Sequence, residues 1–253
     1  MHVHAHKIEF VRYFIVYHMK PRYLKHVDVK RKRIPPEKWR ESDKRVRMSD
    51  LLDDLPDEIK RQFKYDDYSL WSFTHLAIGD EICRELLKLD GISARSTVTD
   101  AMSSIGGNTI AFARVFAYVN AVEIDDDRRD KLEHNLELCG LENVKIYASY
   151  YQYLMGLLKQ DIIFIDPPWG IDYRKQSTVR LSIDGPFDNS IPTDLESFIN
   201  ELPEHKYCVV KLPFNYDLEY MRKRVKGKII RVLEYPRPNT CIVVIIEFHQ
   251  IKK

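Results

Sequence analysis

The stretch Ile162-Ile163-Phe164-Ile165-Asp166-Pro167-Pro168-Trp169-Gly170 decides the fold. Its first four residues are apolar, which is typical of a strand buried on both faces in the middle of a parallel sheet. The two prolines that follow fix the backbone φ angles. The stretch therefore predicts a rigid loop at the end of a central strand, with a carboxylate and a flat indole ring held side by side.

Outward from this strand, short apolar strands alternate with helices. We predict strands at residues 97–100, 118–124, 145–148, 162–165, 207–211, 228–234 and 241–248. We predict helices at residues 78–89, 109–115 and 128–139, with Gly140 ending the last of these. The alternation predicts an α/β fold: a doubly wound, mostly parallel, seven-stranded Rossmann-like sheet. The last two strands, joined by a short turn, predict one antiparallel edge strand.

The first 65 residues differ from the rest, so we predict a basic N-terminal extension at 1–65 and the sheet domain at 66–253. Although the net charge is +2, residues 20–47 hold twelve Lys and Arg residues against four acids. A basic arm beside a near-neutral body is typical of a protein with a polyanionic partner such as RNA. A solvated charged surface explains the arm equally well.

Composition excludes several classes of protein. No apolar run is long enough to cross a membrane, and we expect no membrane partner. The four cysteines lie far apart with no CxxC pair, which favours a reducing compartment over a disulfide framework or a zinc site. We expect an intracellular protein, in the cytoplasm or in the nucleus, because Lys-Arg-Lys-Arg at 30–33 fits a weak nuclear import pattern. His2, His4 and His6 alternate as metal ligands on a strand can, but a frayed terminus is the favoured interpretation.

Two segments predict a nucleotide-like ligand at the carboxyl ends of the strands, where open α/β sheets bind ligands. The first, residues 100–109, combines a strand end, a turn with two glycines and a helix start, which lets an anionic group approach the backbone. It does not match GxGxxG, and a tight β–α turn is the alternative. The second is Glu123, whose carboxylate follows the second strand and is placed to accept hydrogen bonds from ribose hydroxyls.

The Asp166–Trp169 loop predicts the chemistry. A planar base stacked on Trp169 gains about 1–3 kcal/mol, and its exocyclic amine can donate to Asp166. A purine amine is a weak nucleophile, so its catalysis is mostly orientation. A Pro-Pro turn with a packing Trp is the alternative. After the fifth strand, Lys211 is a candidate for a phosphate contact and Phe214 for covering a base, and a structural role is equally open for both.

The loop resembles the [DNS]-Pro-Pro-[YFW] motif of amino-methyltransferases that use S-adenosylmethionine. It is more similar still to the trimethylguanosine synthase family, the cap-specific guanine-N2 methyltransferases. The family's cofactor loop, Asp-Ala-Phe-Cys-Gly-Val-Gly-Gly-Asn-Thr, looks like residues 100–109, and its Phe-Ser-Val-Thr looks like residues 71–74. Its Asp-Ile-Asp looks like Glu123-Ile124-Asp125. The resemblance covers about residues 70–215.

The resemblance implies S-adenosylmethionine as cofactor, 7-methylguanosine-capped RNA as partner, and no metal. The residues it implies for the cofactor are Asp100, Ser104, Gly106, Asn108, Thr109, Glu123, Ile124 and Ser149. The implied catalytic residues are Asp166, Pro167, Pro168 and Trp169, with Trp169 stacked on the cationic 7-methylguanine. Asn135, Ser72 and Lys38 are implied to approach the cap phosphates.

The chain departs from the family at three positions. Ser104 replaces a Gly, Ser149 replaces an acid that meets the adenine amine, and Phe214 stands where the family can place a phosphate-binding Arg. Two alternatives therefore stay open. One is an amino-methyltransferase acting on adenine N6 or guanine N2 within RNA. The other is an inactive methyltransferase fold that binds RNA or a protein. The number of methyl groups added and any protein partner are not predicted.

Overall fold

One seven-stranded sheet forms the centre of the protein in the computed structural model, which describes residues 47–170, 172–183, 193–203, 205–235 and 241–248. The strands are β1 Thr97–Asp100, β2 Tyr118–Val122, β3 Val144–Tyr147, β4 Ile162–Ile165, β5 Tyr207–Pro213, β6 Lys228–Tyr235 and β7 Cys241–Glu247. Their order is β3-β2-β1-β4-β5-β7-β6. The predicted Rossmann-like, doubly wound sheet is confirmed.

The first five strands are parallel, and β7 runs antiparallel to both β5 and β6. The sequence predicted that the antiparallel strand would lie at the edge of the sheet. This is wrong, because the antiparallel strand β7 lies inside the sheet and β6 forms the edge. Burial explains the order. Six of the seven residues of β7 are buried, whereas β6 is mostly half-buried and tolerates one open side.

The described residues contain nine α-helices. They are α1 Met48–Leu51, α2 Asp57–Gln62, α3 Ser69–Ser72, α4 Leu76–Leu86, α5 Gly107–Val115, α6 Asp126–Leu138, α7 Tyr151–Leu154, α8 Leu195–Glu201 and α9 Leu218–Arg224. The three predicted helices correspond to α4, α5 and α6. Two short strands, Ser182–Ile183 and Thr193–Asp194, pair separately from the sheet.

Both faces of the sheet are covered, as β4 shows residue by residue. Ile162 and Phe164 belong to one apolar cluster with residues of α4 and α5, and Ile163 and Ile165 belong to a second cluster with residues of α8 and α9. A continuous apolar strand is stable here because each face meets a helical layer. The central strands are thereby held rigidly, and their carboxyl ends present fixed loops.

The compact unit that contains the sheet begins at Arg47, earlier than the predicted start at residue 66. Leu51, Leu52 and Leu55 are buried around α1 and the turn after it. Lys64 exchanges two backbone hydrogen bonds with the side chain of Asn135 on α6. Residues 47–65 are thus part of the sheet domain.

Several predicted features lie outside the described residues. They are the alternating histidines, the basic arm up to residue 46 with its cluster at 30–33, and Lys38. Within the described ranges, no helix has the length and apolarity to cross a membrane. The same ranges contain no group of three or more His, Cys, Asp or Glu side chains arranged to hold a metal ion.

Candidate functional site

The loop between β1 and α5 is built around the buried carboxylate of Asp100. Thr109 Oγ1 donates to Asp100 Oδ2 at 2.6 Å, and Ser103 Oγ donates to the Asp100 carbonyl oxygen at 3.0 Å. Gly106, at φ +106°, turns the chain into the helix. A side chain on Gly107 would approach the backbone nitrogen of Thr74 to 3.0 Å, so this glycine allows the loop to pack directly on the segment before α4.

The backbone conformation at Ser104 explains why the resembling family has a glycine at this position. Ser104 has φ +46° in the left-handed region, where an L side chain costs about 1–2 kcal/mol. Its backbone N–H donates to Glu123 Oε2 at 2.8 Å, which offsets part of that cost. The departure at Ser104 is thus accommodated without loss of the loop's shape.

Glu123 follows β2 and faces the same loop. Its two carboxylate oxygens accept backbone N–H groups of Ser104 and Asp125, and burial raises its pKa. Each oxygen keeps a second lone pair for a ligand hydroxyl. Beside it, Ile124 is 46% exposed although it is a large apolar residue, and it offers an apolar contact to a ligand.

Asp166 follows β4 and is the point where the two loops meet. Its Oδ2 accepts from Lys211 Nζ on β5 at 2.8 Å and from Asn108 Nδ2 on α5 at 3.2 Å. Pro167 is buried and Pro168 exposed, so the Pro-Pro turn leads from the core to the surface. Asn108 thereby connects the predicted cofactor loop with the predicted catalytic loop.

Trp169 is half-buried and packed on two sides. Its Nε1 donates to the carbonyl oxygen of Lys211 at 3.4 Å, and its ring meets Tyr173 edge to face at a centroid distance of 5.3 Å. The Lys211 ammonium lies 5.1 Å from its ring centroid. The indole is therefore held in one orientation beside Asp166.

Unsatisfied buried atoms mark where a polar ligand fits. Of the seven such side-chain atoms in the described residues, three surround the loop after β1: Thr74 Oγ1, Asp100 Oδ1 and Asn108 Oδ1. The Thr74 hydroxyl can donate a hydrogen bond, and the Asp100 and Asn108 oxygens can accept one. This set suits the zwitterionic amino-acid end of S-adenosylmethionine, because the cofactor's carboxylate needs a donor and its ammonium needs acceptors. These residues fit the cofactor that the resemblance implies.

The structure contradicts the phosphate contacts predicted for two residues. Asn135 is fully buried, and its amide bonds Lys64 N, Lys64 O and Ile105 O, so no atom remains for a phosphate. It braces the cofactor loop against residue 64 instead. Lys211 has a side chain only 2% exposed and pairs with Asp166, so its charge is directed into the catalytic loop.

The remaining predicted residues lie at or near the site without a decisive contact. The Ser72 carbonyl oxygen accepts from Lys211 Nζ at 3.5 Å, which places the end of α3 beside the catalytic loop. Ser149 Oγ donates to the Tyr150 carbonyl oxygen, and Phe214 is half-buried. Their cofactor and substrate roles stay predictions, as does that of Lys38.

Sequence reasoning missed Thr74 and Tyr173. Thr74 belongs to the four-residue segment at 71–74 that was noted for its resemblance, but only its burial shows that the hydroxyl lacks a partner. Tyr173 precedes no strand and fits no motif. Its contact with Trp169 depends on how the chain folds back after the Pro-Pro turn.

Comparisons with known proteins identify the family of this chain. The sequence model of the RNA cap guanine-N2 methyltransferase family matches residues 95–239, more than half of the chain. An uncharacterized protein of Acanthamoeba polyphaga mimivirus is 31% identical over 150 residues, 58% of this chain and 57% of that protein. The trimethylguanosine synthase of Schizosaccharomyces pombe is 30% identical over 80 residues, 29% of this chain and 33% of the enzyme. This chain therefore spans less than two thirds of either relative.

Among solved structures, one from Porphyromonas gingivalis W83, whose assignment as a methyltransferase is itself an inference, has a TM-score of 0.60 at 17% identity. The likeness covers 96% of this chain and 58% of that one, and it shows a common fold. The family match over more than half of the chain leads to one conclusion: the chain belongs to the RNA cap guanine-N2 methyltransferase family, with S-adenosylmethionine as its cofactor.

Proposed function

We propose that this protein methylates the exocyclic N2 amine of 7-methylguanosine at the cap of an RNA. The observation that carries the proposal is the placement of Asp166 and Trp169 on one rigid loop, joined through Asn108 to the loop that fits the cofactor. Family membership supports methylation as the reaction, and the Asp-Pro-Pro-Trp loop supports a planar base with an amine as the acceptor.

The roles of the residues follow from what each can offer. S-adenosylmethionine supplies an electrophilic methyl group. Trp169 offers a ring for stacking, and a cationic 7-methylguanine adds cation–π attraction of about 0.5–2 kcal/mol. Asp166 accepts an N–H of the amine and so aims the nitrogen lone pair. As the N–C bond forms and the methyl–sulfur bond breaks, the amine's surplus proton leaves to water.

The experiment that tests the proposal measures transfer of a labelled methyl group to 7-methyl-GDP, GDP and an adenine-containing RNA in parallel. We expect label on 7-methyl-GDP and little on GDP, because GDP lacks the ring cation that Trp169 favours. Equal labelling of both nucleotides contradicts the cationic-stacking argument. Label on the RNA alone identifies an RNA amino-methyltransferase, and label on none of the three identifies a binding module.

Asp100 predicts how cofactor affinity depends on pH. Burial raises its pKa to about 7, and the nearby charges of Asp166 and Glu123 add to the rise. The group is therefore mostly protonated at pH 6 and mostly ionised at pH 8. Since a bound cation favours the ionised carboxylate, we expect the affinity for S-adenosylmethionine to increase about tenfold over this interval.

Titration calorimetry at three pH values checks this expectation, with Asp100→Asn as the control that should lose most of the increase. In the protein without cofactor the sign is opposite: because the folded-state pKa lies above the ordinary value of 3.8, this group lowers stability as pH rises from about 4 to about 7. An affinity that is independent of pH in the unaltered protein contradicts the assignment of Asp100 to the cofactor's cation.

A further inference from the structure

We propose that Lys211 is a positioning residue for the methyl acceptor: it fixes the Asp166 carboxylate so that Oδ1 is the oxygen that receives the acceptor amine. This inference rests on the proposed function and deepens it, since it concerns how the same site orders its acceptor.

Burial and charge together single out Lys211. Its side chain is 2% exposed, and a lysine this deeply buried is found almost exclusively in paired form. Its ammonium meets Asp166 Oδ2 at 2.8 Å, and the Asp166 side chain is 14% exposed. Removing a buried charge's partner is costly, so the pair keeps both side chains in place.

Two donors converge on the same carboxylate oxygen. Lys211 Nζ arrives from β5 and Asn108 Nδ2 from the first turn of α5, and both bond Oδ2. Within the described part of the chain, Oδ1 has no hydrogen-bond donor, and it is not among the fully buried unpaired atoms. One carboxylate oxygen is thus held by the protein, and the other is left for an incoming N–H group.

Lys211 also holds the far end of the loop. Its backbone carbonyl oxygen accepts from Trp169 Nε1 at 3.4 Å, while its ammonium binds Asp166. A single residue therefore sets both the acceptor carboxylate and the indole ring. The distance between the hydrogen-bonding and the stacking partner of a base is thereby fixed before any base enters, which is the kind of preorganisation that orientation catalysis requires.

The pairing also defines what Asp166 does in the reaction. The ammonium of Lys211 and the amide of Asn108 hold Asp166 Oδ2, so Oδ1 remains to accept a hydrogen bond. Asp166 therefore orients the amine as a hydrogen-bond acceptor, and the proton lost after N–C bond formation passes to water. Lys211 acts through Asp166 and does not touch the reacting atoms.

The test compares Lys211→Ala with the unaltered protein on 7-methyl-GDP and on RNA. Because loss of the ammonium frees the carboxylate to turn, we expect kcat to fall about 100-fold, the cost of a misplacement of about 1 Å. The affinity for S-adenosylmethionine, measured by calorimetry, should change less than about threefold. Propylammonium, which replaces the deleted methylenes and ammonium, should restore at least about tenfold, and 1-propanol at the same concentration should not.

Lys206→Ala is the matched control, since Lys206 lies next to the opposite end of β5 in an exposed ion pair with Asp90. It should keep the full rate. A Lys211→Ala protein that keeps its rate, or one that propylammonium and 1-propanol rescue equally, overturns the inference while the proposed function stands. An unaltered protein that labels neither acceptor overturns the proposed function, and the inference with it.

Discussion

Trp169→Ala should lower methyl transfer to 7-methyl-GDP by between about 10-fold and a few thousand-fold while leaving the affinity for S-adenosylmethionine nearly unchanged. The expected loss combines base stacking of about 1–3 kcal/mol with cation–π attraction of about 0.5–2 kcal/mol, and about 1.4 kcal/mol corresponds to a factor of ten. Labelled transfer gives the rate, and calorimetry gives the cofactor affinity.

Trp169→Phe separates the ring's role in binding from its role in packing. Trp169 packs against both apolar clusters of the sheet, so the alanine variant leaves a space that phenylalanine largely fills. The phenylalanine variant should recover part of the rate, with thermal denaturation reporting the folded fraction of each. If cofactor affinity collapses together with the rate, Trp169 is structural, and the stacking role is wrong.

The sequence predicts the position of this site well because parallel strands impose it. Asp100 ends one strand of the parallel set, and Glu123 and Asp166 each directly follow another, so their carboxylates gather at one edge once the strands pair. The strand Ile162–Ile165 was predicted with its observed bounds because four apolar residues end at an acid and two prolines. Local pattern and global fold agree here.

Other features depend on contacts that no local pattern contains. The strand β7 pairs between β5 and β6, although it follows β6 in the chain. The short turn between β6 and β7 would equally allow β6 to lie next to β5, so the sequence alone does not decide the order. The short helices α8 and α9 were missed because each spans only seven residues. Their caps were readable, since Asp194 accepts from Ser197 N and Asp217 from Tyr220 N.

The partners of individual polar side chains were the least predictable part of the site. The resemblance implied a phosphate contact for Asn135, and Lys211 was a candidate for one with a structural role equally open. The Asn135 side chain instead hydrogen-bonds three backbone groups in two different segments. The Lys211 ammonium binds the Asp166 carboxylate on the neighbouring loop. A pattern shows which residues are polar, but only the folded chain shows which polar groups already have partners.

The second large effect is expected for Asp166→Ala, which removes the counterion of a buried charge. The Lys211 ammonium would then be almost fully buried without its counterion, at a cost of about 3–5 kcal/mol. For a domain of this size, each kcal/mol lowers Tm by about 2–4 °C, so a fall of roughly 10 °C is expected by thermal denaturation. Methyl transfer should be lost at the same time.

The double variant Asp166→Ala with Lys211→Met separates the two consequences of losing Asp166. It removes both charges and replaces the lysine by an apolar side chain of similar length, so Tm should recover most of the loss, because buried ion pairs exchanged for apolar groups are often neutral in stability. Transfer should stay absent, since no acceptor remains for the amine. Recovery of both would mean that Asp166 serves only to neutralise Lys211, and that another group orients the base.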